Sequence, residues 1–307
     1  MKASITDLTQ RRHLLALAAG LPLIGCVSSP SAGGTLLAGS HVLHFPAPGL
    51  GATSDDIRLH AHRPARWQPD DPVAIVMHGV RRDADRYLRE WLEPAEDAGI
   101  LVLVPEFTQA KFPGRNFYNF GNVADDKMNI RPSEQWVFRV VDDAFAIGRK
   151  AFGARRERFA LYGHSAGAQF VHRYMLLAKE SRAELIISAN AGSYTLPNRD
   201  ANFPWGLANV AATDEDLKRA FARQVVLLLG DKDIDPNHPN LPTDPEARAQ
   251  GVNRFARGHY FYEQARAAAA KLGVPLRWRV QTVPGVAHSD HGMAPPAMKI
   301  MRQGVAA

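Results

Sequence analysis

Residues 163–167 read Gly-His-Ser-Ala-Gly. The apolar run Phe159–Tyr162 before them reads as a buried strand, and Ala166 to Lys179 after them as a helix. That context makes the five residues a nucleophile elbow, with Ser165 exposed on a tight, strained turn and glycine where a side chain would collide. The helix would aim its N-terminal amides at the same point. A serine hydroxyl is a weak nucleophile at neutral pH. It needs an adjacent base, and the base needs an orienting acid. Two later segments offer both. Val225–Leu229 is a second buried strand, ending in Gly230 and a run of carboxylates at 231, 233 and 235. Leu276 to Val283 is a third, followed by Pro-Gly-Val-Ala and then His288, with His291 just beyond. Serine, acid and histidine therefore follow one another in the chain, each after a strand.

The elements needed to hold these residues are legible along the chain. His41–Phe45 and Ile57–His62 read as an opening pair of strands, followed by strands at Val73–Met77, Leu101–Val104 and Leu185–Ser188. Helices are expected at 84–98, with Tyr87, Leu88, Trp91, Leu92 and Ala95 on one side, at 133–150 from Ser133, at 255–271 and at 293–302. Strands apolar on both faces, alternating with helices, imply a mostly parallel sheet covered on both sides. No internal repeat or second tether divides residues 41–307, which read as one α/β domain. Two stretches, about 106–132 and 232–254, are long for plain connections and suggest binding loops.

Over nearly all of residues 41–307 the chain resembles the α/β-hydrolase superfamily. The resemblance implies that fold, with an eight-stranded, mostly parallel sheet and helices on both faces. It selects Asp233 as the acid and His288 as the base, leaving Asp231 and Asp235 as turn or cap residues. His78-Gly79-Val80 follows the strand 73–77 where the superfamily carries a His-Gly motif. The backbone N–H groups of Val80 and Ala166 would then form the oxyanion hole, with His78 a packing and hydrogen-bonding residue. Together with Val104-Pro-Glu-Phe107, these motifs are similar to those of the polyhydroxyalkanoate depolymerase and feruloyl-esterase-like branch. Secreted polymer depolymerases of that branch usually carry a separate binding domain, so a small or oligomeric ester is the expected substrate. Phe117, Tyr118 and Phe120, with Phe112, Arg115 and three asparagines nearby, would line a groove or pin their loop to the core. Trp205 and the loop 237–254 are further candidates. The triad chemistry needs no cofactor. The Asp-x-Asp-x-Asp run lacks the glycine and distal Glu of a calcium loop, and no metal is expected there or at His288-Ser-Asp-His291. The alternatives are a serine peptidase or amidase of the same fold, and a surface lipoprotein that binds without catalysis.

The 307 residues, 46% of them hydrophobic and 22% charged, fit one large globular domain and exclude disordered, collagen-like and polytopic membrane chains. A net charge of +6 with its 37 basic residues scattered gives no nucleic-acid stripe. One cysteine, Cys26, excludes an internal disulfide. It follows Arg11-Arg12 and an apolar stretch of about a dozen residues, the layout of a signal peptide, too short for a spanning helix. Leu23-Ile24-Gly25-Cys26 resembles a bacterial lipobox, which implies cleavage before Cys26 and lipid attachment to its thiol. Arg11-Arg12 resembles a twin-arginine export signal. Residues 1–25 are thus expected to be a leader, and 26–40, rich in Ser, Gly and Ala, a flexible tether on an exported, membrane-anchored protein.

Overall fold

The continuous apolar runs do become buried strands. In the computed structural model, which describes residues 35–304, eight strands form one sheet in the order β1-β2-β4-β3-β5-β6-β7-β8. They are β1 (Gly39–Phe45), β2 (Ile57–Arg63), β3 (Val73–Met77), β4 (Leu101–Pro105), β5 (Phe159–His164), β6 (Ala183–Ala189), β7 (Val225–Gly230) and β8 (Trp278–Val283). The β1–β2 and β2–β4 pairs are antiparallel, and all others parallel. Every residue of β3, β4, β5 and β7 is buried.

The period of two sorts these residues between two cores. Ile75, Met77, Leu103, Leu161 and Leu227 face one layer. It is built by α3 (Arg139–Phe152), α4 (Ala166–Leu177), α5 (Asp214–Phe221) and α7 (Arg254–Lys271). Ala74, Val76, Val102, Tyr162 and Leu228 face the other. There α1 (Ala84–Ala98) packs against α8 (Asp290–Gly304). Two short helices, α2 (Gly114–Phe117) and α6 (Pro245–Ala249), lie in the long connections.

Several boundaries differ from expectation. The helix expected from Ser133 is a 3-10 turn over Ser133–Gln135, then an extended Trp136 (φ −71°, ψ 135°), with α3 starting only at Arg139. The N–H of Val137 donates to Gly121 O (3.0 Å) and the indole of Trp136 to Arg131 O (3.0 Å), which draws the chain into the core instead of winding it. The helix expected at 293 begins at Asp290, whose buried carboxyl group is held by partners on two other elements. The expected tether ends before residue 40. Leu36 N–H donates to Ala151 O (2.9 Å), and Gly39 and Ser40 pair with Arg63 and His62 in β1–β2. The leader and Cys26 lie outside the described residues. Among those described, no helix is long and apolar enough to cross a membrane.

Candidate active site

Parallel strands bring their C-terminal ends to one edge of the sheet, where open α/β sheets form their sites. The loops after β3, β5, β7 and β8 meet there. At the end of β5 the chain turns into α4 within one residue, and Ser165 takes φ 57°, ψ −112°. Positive φ is uncommon outside glycine, and such strain persists only where surroundings enforce it. Here Ser165 N–H donates to Ala189 O (3.0 Å). A Cβ at 163 would overlap the carbonyl of Gly167, and one at 167 the carbonyl of Met77. Glycine at both positions is what allows α4 to leave so close to β3 and β5.

The acid turn follows β7. Asp233 is buried at 2% exposure, and its N–H donates to Gly230 O (3.1 Å). The histidine loop follows β8 and is fastened to that turn. Asp231 accepts from Gly285 N–H (2.7 Å), and Lys232 N–H donates to Val286 O (3.0 Å). Asp235 accepts from Asn237 N–H (2.9 Å), as a turn residue does. The result brings Ser165, Asp233 and His288 together. Nδ1 of His288 lies 2.7 Å from Asp233 Oδ2, and its Nε2 lies 2.9 Å from Ser165 Oγ. An ionised carboxylate only accepts, so Nδ1 carries the proton it donates, and Nε2 is left to accept from the serine hydroxyl. Val80 and Ala166 line the cavity beside Ser165. As the first residue of α4, Ala166 has an N–H with no acceptor one turn back in the helix.

Supporting residues missed in the sequence complete the arrangement. Asn190, at the end of β6 with φ 51°, accepts from Gly230 N–H (2.9 Å) and donates to Ala287 O (3.3 Å), bridging the acid strand and the histidine loop. Asp290, at the start of α8, accepts from Tyr162 Oη on β5 (3.0 Å) and Trp91 Nε1 on α1 (3.1 Å). It thus ties the helix after His288 to the strand before Ser165. Burial, with Glu90 nearby, pushes its carboxyl up to about 8 against the pull of the two donors. Burial likewise drives the His164 imidazole, 4.7 Å from that of His288 between ring centres, well below its usual range, so it stays neutral.

His78 is a fastener, as its position suggested. Phe107 N–H donates to its Nε2 (3.0 Å), its Nδ1 lies 3.1 Å from Gly79 O, and burial lowers it to about 4. The next turn is pinned by Arg82, which donates to the carbonyls of Phe107 (2.9 Å), Phe112 (3.2 Å) and Gly114 (2.8 Å).

The expected groove residues divide. Phe120 lines the cavity, joined by Trp205 and by Arg115 from the same loop. Tyr118 does not. It is fully buried, stacks on His78 and donates its hydroxyl to His78 O (2.6 Å), satisfying the one polar atom it carries into the core. Phe117 also packs against the core, and Phe112 is buried in it. The loop 232–254 closes the opposite wall through Asn240, Pro242 and Asp244. The cavity is small, about 80 Å³. A larger hollow of about 840 Å³, bounded by 130–143, 174–182 and 210–216, shares no residue with the Ser165 site. Among the described residues no cluster of His, Cys, Asp and Glu is set to hold a metal.

Comparison with protein-family models finds no match, and comparison with curated proteins finds none either. Solved structures do match. A poly(aspartic acid) hydrolase from Sphingomonas sp. KT-1 is 35% identical, with a TM-score of 0.82 over 87% of this chain and 99% of that one. A poly(3-hydroxybutyrate) depolymerase from Bordetella parapertussis is also 35% identical, with a TM-score of 0.80 over 87% of this chain and 91% of that one. An S-formylglutathione hydrolase from Agrobacterium tumefaciens, 14% identical with a TM-score of 0.55 over 89% and 95%, shares the fold. With two hydrolases at this identity over nearly their full lengths, and with this sheet order, the chain belongs to the α/β-hydrolase family.

Proposed function

We propose that the chain is a serine hydrolase that cleaves carboxylic esters through an acyl-enzyme. The observation that carries this reading is the unbroken hydrogen-bond path Ser165–His288–Asp233 at a strained elbow. Ser165 Oγ attacks the ester carbonyl while its proton passes to Nε2 of His288. Asp233 Oδ2 holds Nδ1–H and stabilises the imidazolium. The tetrahedral oxygen takes the N–H groups of Val80 and Ala166, donors of a kind worth about 3 kcal/mol each in a transition state. Collapse expels the alcohol, which receives the proton from His288. Water then frees the acid by the same route in reverse. The scheme uses no cofactor.

The expected substrate, a small or oligomeric ester, narrows toward an ester-linked chain. Both 35%-identical relatives are named for polymers. A buried water needs at least about 10–15 Å³, so a cavity of about 80 Å³ suits one short acyl unit, with the remainder of the substrate lying across the surface. The poly(aspartic acid) hydrolase supports a second reading, in which the cleaved bond is an amide. Matched oligomers differing only in ester or amide linkage separate the two by kcat/KM. Faster ester turnover is expected, and amide turnover equal to or above it contradicts the ester reading. We add export and lipid attachment at Cys26, on the strength of the leader sequence alone.

A further inference from the structure

Arg254 opens α7 and is 1% exposed. Its Nη1 donates to Asp233 Oδ1 at 3.4 Å, the oxygen not engaged by His288. Among the described residues, no other side chain or amide donates to that oxygen. Its Nη2 donates to Nδ1 of His238 at 3.2 Å, and Asn240 N–H donates to the same nitrogen at 3.1 Å. Asn240 lines the cavity beside Ser165. The His238 ring meets that of His288 edge to face at 5.1 Å.

The backbone repeats this fastening. Asn253 caps α7 by accepting from Ala256 N–H (2.9 Å) and donates to Ile234 O (3.3 Å), while Phe255 N–H donates to Asp233 O (3.2 Å). The first turn of α7 is therefore laced to the acid turn. A buried charge persists only with a partner, and Asp233 is the one in contact. The other charged or titratable groups that face this cluster are Asp235, His238, His288, His164 from β5, Tyr194 from the connection after β6 and Arg257 from α7.

A carboxylate held by one oxygen can still swing about its last bond. Fixing the second oxygen removes that freedom and sets the plane in which the first meets the imidazole. We propose that Arg254 is a positioning residue for the triad, locking Asp233 toward His288 and, through His238, tying the acid to the cavity wall. The inference rests on the triad reading above.

A cation beside the acid also opposes a second positive charge on the imidazole, so the pH profile reports its role. The test follows hydrolysis of a p-nitrophenyl ester against pH. Arg254→Gln is expected to lower kcat/KM roughly tenfold or more and to move its acidic limb upward. Arg254→Lys keeps the charge but reaches only one partner. Its acidic limb should stay at the wild-type position, with KM raised as the His238 link opens. A folded Arg254→Gln protein whose kcat and limb coincide with the wild type overturns the proposal, as does an Arg254→Lys limb displaced like that of Arg254→Gln. If Arg254→Gln does not fold, the position of the Arg254→Lys limb decides alone. Folded wild-type protein inactive on every ester and amide would overturn the triad reading, whereas active wild type with unmoved variants overturns only the role of Arg254.

Discussion

At the residue scale, chemistry and support differ in how far they could be read in advance. Ser165, Asp233 and His288 were legible because each is a reactive type placed just after an apolar run, and strand ends are where such residues collect. Asn190, Arg254 and Asp290 were not. The partners of Asn190 lie 40 and 97 residues away, those of Arg254 16 and 21, and those of Asp290 128 and 199, and nothing local distinguishes the three from ordinary polar residues. Tyr118 and Phe120 show the converse, since an aromatic reads the same whether it fills a core or walls a groove. Asp290 carries a prediction of its own. Folded, its carboxyl holds a proton up to about pH 8. Unfolded, it releases it near its ordinary 3.8. Between those values the folded state holds one more proton, so its contribution is complete below about pH 4 and is lost as pH rises through 8. Asp290→Asn removes the difference while keeping one acceptor. Urea unfolding across pH 4–8 should show the downward slope flattened by up to about 1.4 kcal/mol per pH unit. A slope equal to that of the wild type contradicts this account.

At the scale of elements, periodicity located the long helices and failed where tertiary pull outweighed it. The helix read from Ser133 was delayed to Arg139 because Val137 and Trp136 are claimed by Gly121 and Arg131, contacts across the fold that spacing cannot express. Helix α5, only eight residues long, leaves little periodicity, although its start carries a signal. Thr213 and Asp216 form a reciprocal capping box, with the Thr213 side chain accepting from Asp216 N–H (3.2 Å) and Asp216 from Thr213 N–H (2.9 Å). Thr213→Ala should lower stability by about 1 kcal/mol in chemical denaturation. It should leave kcat/KM unchanged, since no residue of α5 lines the cavity beside Ser165. A loss of activity in folded protein would show that α5 bears on the site. The two long connections both wall the cavity, and their short helices α2 and α6 are too brief to leave a periodic trace.

At the scale of the molecule, the alternation of buried strands and helices was enough to specify the layers, because both faces of β3, β4, β5 and β7 are dry. Strand order was not readable from periodicity. It places β3 between β4 and β5, which sets the Val80 turn beside the Ser165 elbow. A domain of this size buries enough surface to stand without disulfides, which leaves Cys26 free for the lipid role proposed here. Cys26→Ser is expected to release the protein from the membrane fraction into the soluble one, and unchanged retention contradicts the anchor. Everything proposed for the site depends on Ser165 being an activated nucleophile. A fluorophosphonate probe tests it most directly, because it bonds only to such a serine. One label per chain is expected on the folded wild type, on Ser165, and none on folded Ser165→Ala. Absence of label on folded wild type, or label persisting in Ser165→Ala, would contradict it.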